Sequence, residues 1–158
     1  MSPIRQRRAV RALLLDNDQI LLVKAELPDG RHCWMTPGGG VEHGETDQQA
    51  LRREVWEETS FVLNGEYPLI WIRNHLYGDP PRQVDQHEYY FLIRTSIFDA
   101  SMHNNPAEGE LEVFRGFKWW SINEIAASNE LFSPNKLADL LSNLLAGAPP
   151  EQPIRIGI

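Results

Sequence analysis

The sequence predicts an α/β protein, a mixed β-sheet held between helices, and three observations carry that prediction. Apolar runs of strand length and strand alternation lie on both sides of the chain's middle, at residues 7–15 and 20–25 and again at 69–77 and 86–95. Between them, residues 47–59 contain no Gly or Pro and are dominated by good helix formers. Near the C-terminus, Leu137, Leu140, Leu141, Leu144 and Leu145 recur at helical spacing. At 158 residues, 42% hydrophobic and 23% charged, the composition suits one domain with a sizeable core. The expected unit is a single domain over 1–158, with a Pro-containing tail from about residue 147.

Taken in order, residues 7–15 and 20–25 flank the turn cluster Asp16-Asn17-Asp18-Gln19 and are expected to form a hairpin. Arg8 and Arg11 fall early in the first strand. Exposed strand charge is the ordinary role for such residues, and contact with a phosphate or ribose is the functional alternative. Pro28-Asp29-Gly30 marks a turn, after which Cys33-Trp34-Met35-Thr36-Pro37 leads into Gly38-Gly39-Gly40. Cys33 is the only cysteine, which excludes an internal disulfide and fits a reducing compartment. Beside Trp34 it reads as a small buried apolar residue rather than a nucleophile. Three successive glycines let backbone approach a ligand closely and form a tight turn.

The next element is the helix expected from Asp47 to Thr59. Thr46 can cap it, and Gln49 can reach back to Thr46 in a capping box. Glu54, Glu57 and Glu58 stand at i, i+3 and i+4 and therefore share one face. Three like charges there repel one another unless a cation sits among them. A hard, oxygen-seeking cation such as Mg²⁺ or Mn²⁺ suits carboxylate ligands best. Leu51 and Val55 line an adjacent apolar stripe, so the helix can dock on a core while its carboxylates face a cleft. Arg53 lies on another side of the acidic stripe, within reach of Glu45 or a neighbouring carboxylate. Acidic clusters on helices usually mark only a solvated face, and the spacing to the glycines is what changes that reading.

Gly39, five residues, Glu45, seven residues, then Arg53-Glu54, an aliphatic residue, any residue and Glu57-Glu58 resembles the signature of the Nudix hydrolases. Trp34-x-x-Pro37-Gly38-Gly39-Gly40 is also similar to what precedes the helix in many of them. One position departs: Ser60 stands where the family has glycine, followed by Phe61. A glycine would end the helix in a left-handed conformation that serine adopts less comfortably, which leaves the ligands untouched and the helix exit open. The resemblance implies an α/β/α sandwich. It further implies that the carbonyl of Gly38 or Gly39 completes a metal shell with Glu54, Glu57 and Glu58, and that a further carboxylate comes from outside the box. Glu110 and Glu112, with Glu108 nearby, are the candidates for that carboxylate.

Beyond the helix, residues 61–68 are a connector or short strand. Leu69–Tyr77 is a strand placing Trp71, Arg73, His75 and Tyr77 on one face, and 86–95 is its return strand, so the two form an antiparallel hairpin with a long loop. Arg11, Trp71, Arg73, Tyr77 and Tyr90 are the candidate substrate contacts. The aromatics among them could stack on a base, although aromatics at strand spacing more often belong to a core. His75 and His87 have no second histidine at metal spacing. Residues 98–109 are a loop and 113–120 a strand. Ser121 caps a short helix with Glu124 in its capping box. A second helix is expected over 134–145, with Ser133 as cap and Pro134 as first residue. Residues 154–158 alternate like an edge strand that could pack on its own domain or on a neighbouring subunit.

A net charge of −7 without a long basic run disfavours sequence-independent binding to long nucleic acids. The N-terminus has neither a secretory signal nor a membrane span, so a cytoplasmic location is expected. The expected activity, implied by the resemblance, is metal-dependent hydrolysis of a pyrophosphate bond in a nucleoside diphosphate linked to another moiety. Glu54 orients or deprotonates the water, with Glu110 or Glu112 equally eligible as base, Arg53 holds a carboxylate in place, and Glu45 ties the loop to the helix. The rival readings are a catalytically silent nucleotide sensor of the same shape and a structural protein with an incidental acidic helix. An isomerase of isoprenoid diphosphates would need features outside the box that the sequence does not display. Dimerisation is common in the family and is implied only by the resemblance.

Overall fold

The computed structural model of the protein describes residues 3–105 and 113–157. Side-chain alternation on its first strand sets the layering. β1 (Arg5–Asp16) sends Val10, Ala12 and Leu14 into one core cluster and Leu13 and Leu15 into another, on opposite faces of the sheet. β2 (Gln19–Glu26) repeats this, with Leu21 on the first side and Ile20 and Leu22 on the second. Helix α1 (Asp47–Thr59) covers the first face with Ala50, Leu51 and Val55, all fully buried. The second face is covered by α2 (Ile122–Ala127) and α3 (Leu137–Leu145) through Ile125, Leu137, Leu141 and Leu144. The result is the mixed sheet between helices that the sequence predicts.

The remaining strands are β3 (His32–Met35), β4 (Gly38–Gly40), β5 (Leu69–Tyr77), β6 (Val84–Arg94), β7 (Phe114–Ser121), β8 (Leu131–Ser133) and β9 (Ile154–Ile156). The main path runs β8-β3-β2-β1-β6-β5-β9, with β4 added on β1 and β7 on β2. β1 runs parallel to β6 from Arg5–Val84 to Leu15–Arg94. The expected first hairpin exists only at its base. Asn17 takes a left-handed turn conformation, and β1 and β2 are registered at Leu15–Ile20 and Asp16–Gln19 alone. Beyond that point β1 continues with β4 and β6, whereas β2 continues with β3 and β7, and the sheet forks.

The helix expected over 134–145 begins three residues later, at Leu137, with Lys136 as N-cap and no side-chain cap. Ser133 is instead the last residue of β8, and its hydroxyl accepts from Arg73. The capping box of α2, Ser121 with Glu124, is as expected. The C-terminal alternation becomes β9, which pairs in parallel with β5 of its own chain through Trp71–Ile154 and Arg73–Ile156. Among the described residues, no helix is long and apolar enough to cross a membrane.

Candidate active site

The site is built at the fork, where β4 lies against β1 with Val10 opposite Gly39 and Arg11 opposite Gly38. At Gly38 (φ +152°) a Cβ would fall 2.0 Å from the carbonyl oxygen of Val10, so no side chain fits between the two strands. At Gly39 a Cβ would fall 2.6 Å from the carboxylate of Glu54. The glycine run therefore lets a backbone strand press against an acidic side chain, which a substituted residue would push aside.

Helix α1 delivers that side chain. Its start is fixed by Thr46 and Gln49, whose reciprocal bonds measure 3.1 and 2.9 Å. Along its exposed edge Arg53 acts as a hub. It donates through Nε and Nη2 to both oxygens of Glu45, each at 2.8 Å, through Nη2 to the Gly40 carbonyl at 2.9 Å, and through Nη1 to Glu54 at 2.8 Å and Glu57 at 3.2 Å. One guanidinium thus gathers two of the three helix glutamates and ties them to the glycine strand. The two hydrogen bonds from Arg53 hold the Glu45 carboxyl below the usual carboxylate range, and Glu45 in turn accepts from the Glu42 N–H at 2.8 Å. Glu58, the third, accepts from the Gly38 N–H at 2.9 Å. Arg53 and Glu45, both singled out in the sequence, are thus brought together.

Ser60 ends the helix in the left-handed conformation at φ 65°, ψ 12°, the geometry that glycine would adopt there. Its N–H donates to Trp56, and its hydroxyl donates to the Ser101 carbonyl at 2.7 Å and accepts from Asn104 at 2.9 Å. The exit is thus preserved with serine in place, its conformational cost offset by hydrogen bonds to the 101–104 turn.

Beside Glu58 and the glycines opens a cavity of about 210 Å³. Its polar wall is Arg7, Arg11, Thr36 and Glu58, and its apolar wall includes Val23, Met35, Met102 and Phe114. The residues come from both arms of the fork, so the early parting of β1 and β2 is what makes room for a ligand. Sequence reasoning placed Arg11 here but missed Arg7 and the apolar wall, because no local pattern marks residues that meet only across the fork.

Arg11 belongs to a buried charge cluster. Its Nε donates to Glu88 at 2.7 Å, while Arg73 donates to the other Glu88 oxygen from Nε at 2.6 Å and to Ser133 from Nη2 at 3.0 Å. Burial works against the Glu88 charge, but the two guanidiniums outweigh it and hold the carboxyl below its ordinary value. Glu88 was not singled out in the sequence. The available signal was Arg11 itself: it shares the inward face of β1 with Leu13 and Leu15, and an inward arginine requires a buried acceptor.

Three expected substrate contacts are corrected by their burial. Trp71 and Tyr90 are 2% and 0% exposed, packed in the core under α3, and offer no face on which a base could stack. Arg73 is 3% exposed and is consumed by Glu88 and Ser133. Tyr77 is exposed at the far end of β5, where it stacks on His75 and lies outside the cavity wall. Arg8 is drawn into an ion pair with Asp47 and sits 3.7 Å over the Tyr89 ring. Cys33 is buried, and burial pushes its thiol up, as expected for an inert side chain. Glu108, Glu110 and Glu112 lie outside the described residues.

Among the described residues, no three His, Cys, Asp or Glu side chains converge as a ready metal cage. The chemistry of the donor set nonetheless suits a hard divalent cation, since Glu54, Glu57 and Glu58 supply carboxylate oxygens on one helix face. Gly39 keeps the backbone against Glu54 where any side chain would intrude.

A sequence model of the NUDIX domain matches residues 5–141. An RNA pyrophosphohydrolase of Vibrio atlanticus (strain LGP32) is 29% identical over 102 residues, covering 58% of this chain and 58% of the relative. One from Aliivibrio fischeri (strain MJ11) is 32% identical, covering 58% and 59%. The chain thus spans a little under three fifths of the curated relatives it matches. Among solved structures, a MutT NUDIX hydrolase from Burkholderia pseudomallei superposes with a TM-score of 0.66 at 20% identity, over 89% of this chain and 98% of that one. An ADP-ribose pyrophosphatase from Streptococcus suis superposes with a TM-score of 0.60 at 20% identity, over 94% and 97%. At these identities the structural likeness speaks for the fold.

Proposed function

The chain belongs to the NUDIX family, and from that premise we propose that it hydrolyses a pyrophosphate bond in a nucleoside diphosphate linked to another moiety, with Mg²⁺ or Mn²⁺ held by Glu54, Glu57 and Glu58. The observation that carries the reading is the Arg53 hub, which concentrates Glu54 and Glu57 beside the glycine strand and next to the cavity that Glu58 lines. A main-chain carbonyl of Gly38 or Gly39 would complete the ligand set. Bound there, a divalent ion would neutralise the diphosphate and lower the pKa of its water. Glu54, held by Arg53, would orient or deprotonate the attacking water, with Glu110 and Glu112 as the alternative bases. Glu45 and Arg53 keep the loop and helix in register while charge shifts between substrate and water. Arg11 and Arg7, on the polar wall, would meet the substrate's phosphates, and the apolar wall would take a flat, uncharged part such as a base.

The experiment is a substrate screen with Mg²⁺ and with Mn²⁺ over ADP-ribose, nucleotide sugars, dinucleoside polyphosphates, nucleoside triphosphates, and triphosphorylated or capped RNA. The names of the curated relatives bring RNA into that set despite the acidic net charge. Cleavage of at least one substrate, abolished by chelation, is expected. No turnover on any of them, with nucleotide still bound, would favour a silent sensor instead.

A further inference from the structure

We propose that Glu88 is a positioning residue: together with Arg73 it holds the Arg11 guanidinium at the cavity wall, where Arg11 takes a phosphate oxygen of the substrate. The proposal rests on the pyrophosphohydrolase reading and concerns a residue of β6 that lies outside the glutamate helix.

Four observations lead to it. Glu88 is 0% exposed and uses both oxygens, one for each arginine. Register alone settles the Arg73 contact, since Arg73 faces Glu88 directly across β5 and β6. That pair already supplies one counter-charge, so the second inward arginine leaves the buried cluster with one positive charge in excess of its carboxylate. Arg11 is the member of the cluster that reaches the cavity, with 15% of its side chain exposed. Finally, the cluster has more donors than acceptors. Arg73 Nη1 is buried without a hydrogen-bond partner among the described residues, and Arg11 Nη1 reaches only the Thr36 carbonyl, at 3.4 Å. With Nε fixed on Glu88, the outer edge of the Arg11 fork is left for the cavity. A fork of that kind matches two oxygens of a phosphate. Glu58 and the Gly38–Gly39 backbone share the same wall, which brings a phosphate held by Arg11 to the acidic helix.

The test is steady-state kinetics of Glu88→Gln, Arg11→Ala and the double variant on the best substrate of the screen. Loss of one charge-assisted contact predicts a KM raised about tenfold in each single variant, with kcat within about twofold. Because Glu88 acts through Arg11, the double variant should be no worse than Arg11→Ala alone. An unchanged KM in either single variant, or losses that multiply in the double, would overturn the proposal. Should Glu88→Gln fail to fold, Arg11→Lys decides: it keeps the charge but loses the planar fork whose one edge rests on Glu88 while the other faces the cavity, so a wild-type KM would overturn the idea. Inorganic pyrophosphate, titrated calorimetrically, should bind the wild type about tenfold more tightly than Arg11→Ala. Equal affinities, or no binding by the wild type, count against the Arg11 site, whereas absent turnover across the screen counts against the hydrolase reading instead.

Discussion

Glu57 and Glu58 differ in their protein partners, Arg53 for one and the Gly38 N–H for the other, yet the proposed chemistry needs both as anions. Glu57→Gln and Glu58→Gln each keep size and hydrogen-bonding capacity while removing charge. Turnover should fall by orders of magnitude with circular dichroism unchanged, and full activity of both variants at saturating Mg²⁺ would sink the metal site. The adjacent glycines separate structure from function in another way. Gly39→Ala would meet the far end of the Glu54 side chain, which can swing away, so stability should change by about 1 kcal/mol or less while kcat collapses. Gly38→Ala would meet the Val10 backbone, which cannot yield without separating β4 from β1, so its melting temperature should fall sharply. Thermal melts and kinetics on the pair discriminate the two roles.

The glutamate helix shows how an element tolerates a substitution in its signature. Ser60 takes the left-handed exit and recovers part of the cost through Ser101 and Asn104. Ser60→Ala loses both side-chain bonds and keeps the strained φ, whereas Ser60→Gly loses the bonds and relieves the strain. Chemical denaturation should therefore find the glycine variant more stable than the alanine variant by about 1 kcal/mol. A reversed order would mean that the left-handed exit is not adopted. The α3 helix teaches the opposite lesson about local rules: a serine before a proline resembles a helix start, but Ser133 ends a strand, its hydroxyl accepts from Arg73, and the helix begins at Leu137.

Across the whole molecule, charges buried by folding link stability to pH, and the proposed metal site links it to cation concentration. The Glu88 carboxyl sits below its ordinary value of 4.5 in the folded protein, so its stabilisation is fully present above that pH and is lost as pH falls through the folded value. Denaturation at pH 7 and pH 3.5 should show wild type well above Glu88→Gln at the higher pH, with the gap narrowing at the lower. A constant gap would contradict the linkage. A cation that binds the folded state alone raises stability by about 2.7 kcal/mol at a concentration one hundred times its dissociation constant. Mg²⁺ or Mn²⁺ should accordingly raise the melting temperature of the wild type and not that of Glu57→Gln. An equal shift in both would reduce the acidic face to a solvated surface.

Period and spacing made the local elements legible: α1 from Asp47 to Thr59, its capping box, the strand pair β5 and β6, the two-sided core, and the carboxylates on one helix face. These follow from residues within a turn or a strand of one another, where sequence distance and spatial distance agree. What only the tertiary structure decided lies between distant segments. The fork after Leu15–Ile20 and the cavity it opens, the burial of Trp71 and Tyr90, and the convergence of Arg11 and Arg73 on Glu88, 77 and 15 positions away, all join distant stretches of the chain. The sequence by itself determined which carboxylates stand together on the helix. Strand pairing decided which carboxylate Arg11 could face, because the same alternation that sends Leu13 into the core turns Arg11 inward, and only β6 laid alongside β1 supplies its partner, Glu88.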